Sequence, residues 1–251
     1  LTAAHCLNTS TGPKVRTMKP NLLAIFIGDD PQADTDGDGN IDLIEHLYVA
    51  SETLIHPGYN PSSLINDIAL VRLSQPIVEP VAPVPPLPAS LGFDDLDIGM
   101  TLNFAGFGDD ENGVHGVKLQ IDGPLGGLGC TVSGCPSGGD TATQISYSQP
   151  NAGPCFGDSG GPALTDHTGI WRVAGVHSWV TGDCHDVGAS IQVDNYASWV
   201  DGYTGNWTPD DDDDITPGDD DDDTPEPCLD GDGDGYGDPA SSTCSFSDLD
   251  C

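Results

Sequence analysis

Three short stretches of the 251-residue chain hold side chains that together can break an acyl bond. Gly157-Asp158-Ser159-Gly160-Gly161-Pro162 sets a serine among glycines, where backbone N–H groups can approach a substrate oxygen closely. Thr2-Ala3-Ala4-His5-Cys6 offers an imidazole, and Asn66-Asp67-Ile68-Ala69-Leu70-Val71 offers a carboxylate at the head of an apolar run. A serine hydroxyl is a weak nucleophile until a base takes its proton, so Ser159 requires an imidazole within hydrogen-bond reach. His5 is the candidate base, later returning the proton to the leaving group. Asp67 is the candidate carboxylate that fixes the ring's tautomer and stabilises the imidazolium that forms. Taken singly, these residues read as a core histidine, a cap and a turn serine. Taken jointly, and in the order His, Asp, Ser, they read as a catalytic set.

That order and those motifs resemble the trypsin/chymotrypsin-like serine protease family, over roughly residues 1–206. The resemblance implies an oxyanion hole built from the N–H groups of Gly157 and Ser159. It places the substrate pocket at Gly153 and Pro154 on the floor, Ser178-Trp179-Val180 on one wall and Gly188 on the other. Ser178 is expected to hydrogen-bond Asp67 as well. No acid stands at the floor, Val180 narrows the entrance and Gly188 keeps the depth open, so the expected cleavage follows small or medium apolar residues. The resemblance also pairs Cys155 with Cys184 across the pocket. The chain opens on Leu1, so the reading expects a fragment whose Asp158 lacks the cut N-terminal amine that the family supplies, and whose Cys6 lacks its upstream mate.

Composition bounds the rest. The chain carries 41 acids against 6 bases, and 17 of the acids lie in 208–251, which has no Lys or Arg; the body therefore holds 24 acids against 6 bases, a net of -18. Such acidity argues against nucleic acid and anionic membrane as partners and fits solubility and divalent cations. No apolar run approaches the length of a membrane span. Eight cysteines beside these motifs point to an oxidising, secreted or cell-surface setting. Cys130 and Cys135 are close enough in sequence to form a local loop.

Short apolar and β-branched runs alternate with Gly, Pro and Asn turns: 22–27, 47–55, 68–73, 100–107, 118–121, 171–179 and 190–193. That spacing reads as all-β. With the resemblance it implies a double antiparallel β-barrel of the chymotrypsin type. A short C-terminal helix is expected from Asp194 to Gly202, with Asp194 as its cap. Proline density between Gln75 and Pro88 excludes a central strand and suits a connection between barrels.

A second constellation interrupts the first barrel. Asp34, Asp36, Asp38, Asn40, Asp42 and Glu45 occupy the ligand positions of a twelve-residue calcium loop, with Gly39 at its sharp turn. A structural Ca²⁺ is expected there, stiffening the sheet that carries His5 and Asp67. After Trp207 the character changes. Residues 208–227 hold two runs of five aspartates and read as an extended, disordered acidic linker. Residues 228–251 begin a cysteine-bracketed module in which Asp230, Asp232, Asp234 and Asp238 repeat the alternating carboxylates, without Glu at the twelfth place. It resembles thrombospondin type 3 repeats and acidic C-terminal modules of secreted bacterial proteins.

Two functions fit. One is a secreted, calcium-stabilised serine endopeptidase acting on protein or peptide substrates, tethered through its tail to a cell-surface or secretion partner. The other is a protease-like binding or adhesion protein that uses the barrels and calcium modules as scaffold. An esterase reading lacks the lipase-type strand-to-helix context around its serine.

Overall fold

A computed structural model describes residues 1–34, 46–78, 81–136 and 142–204, with the backbone of 236–237 and 246–249. The chain divides into two compact units, 1–207 and 208–251. In the second unit Tyr236–Gly237 pairs with Phe246–Leu249 as a two-stranded parallel ladder.

The first unit is mostly β, with curled antiparallel sheets and one short C-terminal helix, as a chymotrypsin-like double barrel requires. Its N-terminal sheet runs β1 (Ala24–Phe26), β2 (Leu47–Ile55), β3 (Ala69–Leu73). Early in β2 the burial alternates, with Tyr48 and Ala50 inward and Leu47 and Val49 outward, the period of a half-buried strand. The larger sheet uses β4 (Thr101–Gly106), β5 (Leu119–Pro124), β6 (Gly127–Leu128), β7 (Gln144–Ser148), β8 (Pro162–His167), β9 (Ile170–Val180) and β10 (Val187–Gln192). Its spatial order is β5-β4-β8-β9-β10-β7-β6. Between the sheets the proline-rich stretch forms no strand among its described residues, touching β9 only through a Pro86–Val173 bridge.

Strands β6, β7 and β8 were not legible in the residue pattern. β7 buries Gln144 and Ser146 beside Ile145 and Tyr147, so no apolar alternation marks it, and β8 opens on a proline. The expected helix starts later and differently. Residues Val193–Tyr196 form a 3₁₀ turn, the α-helix α2 spans Ala197–Thr204, and Asp194 caps neither. Its carboxylate instead accepts from Gln192 Nε2 at 3.0 Å.

Three apolar clusters fix the site. Leu102, Phe104, Leu125, Ile145, Tyr147 and Ala163 fill the large sheet. Ala4, Leu7, Ile55, Tyr59 and Ala69 anchor the one-turn helix α1 (Ala4–Leu7) on the N-terminal sheet. Ala3 and Ile68 pack with Val176, Ile191, Val193, Tyr196 and Val200, so apolar burial spans the seam where the catalytic candidates meet.

Candidate active site

His5 sits on α1, a single turn with no side-chain cap, and its place is set from outside. Thr2 and Ala69 exchange two backbone hydrogen bonds, at 2.9 and 2.7 Å, which lays the histidine turn against the segment carrying Asp67. Asp67 has no exposed side-chain surface. Its Oδ1 accepts the His5 backbone N–H at 2.7 Å; its Oδ2 accepts His5 Nδ1–H at 2.6 Å and Ser178 Oγ–H at 2.6 Å. Three donors compensate a buried charge that would otherwise be costly. With Nδ1 committed as donor, the proton-accepting nitrogen of His5 is Nε2. Burial by itself lowers the His5 pKa; the hydrogen bond and charge of Asp67, with smaller help from Cys6, outweigh it and raise the value.

Asn66 prepares this arrangement. Its backbone adopts a left-handed φ of 54°, a conformation asparagine tolerates better than most residues. The side chain holds it there, Nδ2 donating to Gly58 O at 2.8 Å and Oδ1 accepting from the Tyr196 hydroxyl at 2.7 Å. Nothing beyond its place in the motif marked Asn66 as a positioning residue in the sequence.

Ser159 lies on the loop between β7 and β8. Gly157 takes a φ of 96°, and a Cβ there would stand 2.9 Å from Gly108 Cα, so only glycine is accommodated. Gly160 N donates to His177 O and Gly161 N to Asp158 O, each at 2.9 Å, which pins the turn to β9. Among the described residues the N–H groups of Gly157 and Ser159 have no protein acceptor. The Cys6 thiol donates a long hydrogen bond, 3.5 Å, to Ser159 O, joining the histidine turn to the serine loop. No hydrogen bond joins His5 Nε2 to Ser159 Oγ among the described residues; such contacts often tighten only with substrate bound.

Asp158 is not left uncompensated, as the sequence suggested. Gly108 N and Cys155 N donate to its two carboxylate oxygens, each at 2.8 Å, because Gly106 and Gly108 leave room for the carboxylate. The disulfides Cys155–Cys184 and Cys130–Cys135 are both formed, and Cys6 has no disulfide partner among the described residues.

A cleft of about 240 Å³ beside Ser159 is lined by Pro154, Gly157, Ser178, Trp179 and Val180 of the expected set. Gly153 lies instead on an adjoining cleft of about 710 Å³, which shares Pro154, Cys155, Phe156 and His177 with the first and also carries Asp158. Gly188 pairs with Val180 across β9 and β10 but does not hold the pocket open. The Tyr147 ring and the Gln149 amide occupy the space its missing Cβ vacates. Tyr147 and His177 also line the cleft, and neither was singled out from sequence.

Of the calcium loop only Asp34 belongs to the described residues; Asp36, Asp38, Asn40, Asp42 and Glu45 lie outside them, as do Asp230, Asp232, Asp234 and Asp238. The all-oxygen donor set between β1 and β2 suits a hard cation. Among the described residues no group of three or more His, Cys, Asp or Glu is placed to hold a metal. Nor is any described helix long and apolar enough to cross a membrane.

The family model described as Trypsin matches residues 1–200. Vitamin K-dependent protein C of Rattus norvegicus is 29% identical over 219 residues, covering 82% of this chain and 44% of that protein. CLIP domain-containing serine protease B4 of Anopheles gambiae is 30% identical over 215 residues, covering 80% and 57%. Limulus clotting factor C of Carcinoscorpius rotundicauda is 26% identical over 225 residues, covering 80% and 21%. The chain thus matches only part of the length of each relative.

Proposed function

Because this chain belongs to the trypsin family of serine proteases, we propose that it is a secreted serine endopeptidase working through Ser159, His5 and Asp67. The observation that carries the reading is the buried Asp67, which takes His5 Nδ1–H and the Ser178 hydroxyl at 2.6 Å each and so directs Nε2 of the imidazole to act as base.

The steps follow from the residues. Ser159 Oγ attacks the scissile carbonyl as His5 Nε2 takes its proton, and the imidazolium formed is stabilised by Asp67. The tetrahedral oxyanion is received by the N–H groups of Gly157 and Ser159, each contributing about 3 kcal/mol by comparison with donors of this kind elsewhere. His5 returns the proton to the leaving amine, an acyl group remains on Ser159, and water repeats the sequence to release it. The cleft has no acidic side chain in its lining, which disfavours Arg and Lys before the cut bond, and Val180 limits the incoming side chain to small or medium size.

A structural Ca²⁺ in the loop from Asp34 to Glu45 would brace the N-terminal sheet, with a second site at Asp230, Asp232, Asp234 and Asp238. The acidic stretch 208–227 would space the protease from a surface or secretion partner bound by 228–251. The named relatives include a clotting factor and a CLIP-domain protease, which favours processing of other proteins over general digestion. Fluorophosphonate labelling of the full-length, processed protein tests the activity. Covalent capture lost in Ser159→Ala supports it; a folded, calcium-loaded protein that takes no label is instead a scaffold.

A further inference from the structure

One of the two proposed oxyanion donors is held from a distance, by a loop that the chemistry above does not use. The Phe156–Gly157 peptide presents its N–H at one edge and its carbonyl at the other, as a trans peptide must. Gly157 accepts either sign of φ at little cost, so nothing local stops that peptide from turning over and carrying the N–H out of the cleft. The carbonyl is claimed from outside instead: Asp109 N donates to Phe156 O at 2.9 Å. One residue earlier, Gly108 N donates to Asp158 Oδ1 at 2.8 Å, and Gly108 Cα stands against Gly157. Three contacts from one stretch therefore fix the direction of the Gly157 N–H.

That stretch belongs to the loop 107–118, which joins β4 to β5. Inside the loop the backbone bonds are turns, Asp110 N donating to Val114 O and Gly116 N to Phe107 O at 2.9 Å each. Its two ends are gripped from the other sheet, by the arm that follows β1. Phe107 meets Phe26 edge to face with ring centroids 6.3 Å apart, Lys118 N donates to Asp29 O at 2.7 Å, and the Lys118 ammonium pairs with the Asp29 carboxylate. Lys and Arg number only 6 in the whole chain, and one of them stands here.

We propose that Asp29 and Lys118 are positioning residues for the reaction. Their pairing latches the loop 107–118 to the N-terminal sheet and so keeps the Gly157 N–H aimed at the developing oxyanion. This rests on the endopeptidase reading above, and it extends the machinery to a pair outside the lining of the cleft. The backbone bond from Lys118 N to Asp29 O survives any side-chain change, so the pair tunes the donor rather than switching it.

Charge reversal in the full-length, processed protein provides the test: Asp29→Lys, Lys118→Glu and the two together. The side chains are 78% and 49% exposed, so neither reversal disturbs a core. Fluorophosphonate inactivation is read as a limiting rate and a half-saturation concentration. The phosphoryl oxygen needs the oxyanion donors most as Ser159 Oγ displaces fluoride, so a misaimed Gly157 N–H acts on the rate. Each single reversal should lower the limiting rate about three- to tenfold, with half-saturation and Tm unchanged, and the double reversal should recover most of the loss. Single variants that label at the wild-type rate overturn the proposal, as does a loss that persists in the double variant or that tracks a fall in Tm. The two levels separate in the wild type: one that takes no label loses the endopeptidase reading and this proposal with it, whereas a labelled wild type whose variants behave alike loses only the latch.

Discussion

Acid should destabilise this protein through His177 in particular. The buried ring has its pKa pushed down from 6.5 to about 3 by desolvation, while the unfolded chain takes up that proton below its ordinary value. Between those two pH values the unfolded state binds more protons than the folded one. The contribution to stability is therefore fully present above 6.5 and is lost as pH falls toward 3. At pH 4 the unfolded ring is almost wholly charged and the folded ring almost wholly neutral, a linkage of about 3 kcal/mol. With 3% exposure there is little solvent screening to reduce it. Carboxylates titrate over the same range, so the quantity to measure is a difference between wild type and His177→Val. In that variant the Ser190 and Tyr147 hydroxyls, 3.0 Å apart, still satisfy one another. Urea unfolding followed by tryptophan fluorescence at pH 7 and pH 4 gives the four numbers needed. Wild type should lose about 3 kcal/mol more than the variant, a further drop in Tm of roughly 6–12 °C for a domain of this size. Parallel losses in the two proteins would refute the reasoning, because the imidazole would then not be both buried and uncharged.

Other outcomes follow from the same geometry. Asp67→Asn should lower kcat by roughly 10⁴ if it misdirects the His5 tautomer. Asp67 also raises the His5 pKa and the base must be neutral, so the acid limb of the wild-type pH–rate profile should lie above 6.5 and move to lower pH in that variant. Leu102→Ala, at a position with no exposed surface in the large-sheet core, should cost about 2–5 kcal/mol in denaturant unfolding. Chelation with EDTA should lower Tm, removing about 2.7 kcal/mol where free Ca²⁺ had stood a hundredfold above its Kd; an unchanged melting curve would remove calcium from the account.

What the sequence made legible was chemistry carried by contiguous motifs. His5, Asp67 and Ser159 each sit in a short stretch readable by residue type and order, and the structure brings His5 and Asp67 within 2.6 Å of one another. The bond from Ser178 to Asp67, across 111 positions, was expected only through the family resemblance, and Tyr147, His177 and Ser190, which went unremarked, meet only once β7, β9 and β10 are paired. Strand β7 escaped notice for the same reason, since its buried Ser146 and Gln144 donate to Gly129 O and Leu64 O, tertiary partners that no local pattern announces. Gly188 misled differently. A glycine announces missing volume at its own position but not which neighbour will fill it, and here Tyr147 and Gln149 do. Asp194 carried a cap's residue type, yet Gln192 claimed its carboxylate first.

The bond from Ser178 to Asp67 straps together two halves that contribute separately to one reaction centre. The proposed base and carboxylate precede the proline-rich connection at 75–88; the proposed nucleophile and the strap follow it. Neither half holds a working set. On the proposed mechanism, turnover would report that the halves are docked in register, and a chain cut within the connection would regain it only by reassembly, as a complementation pair.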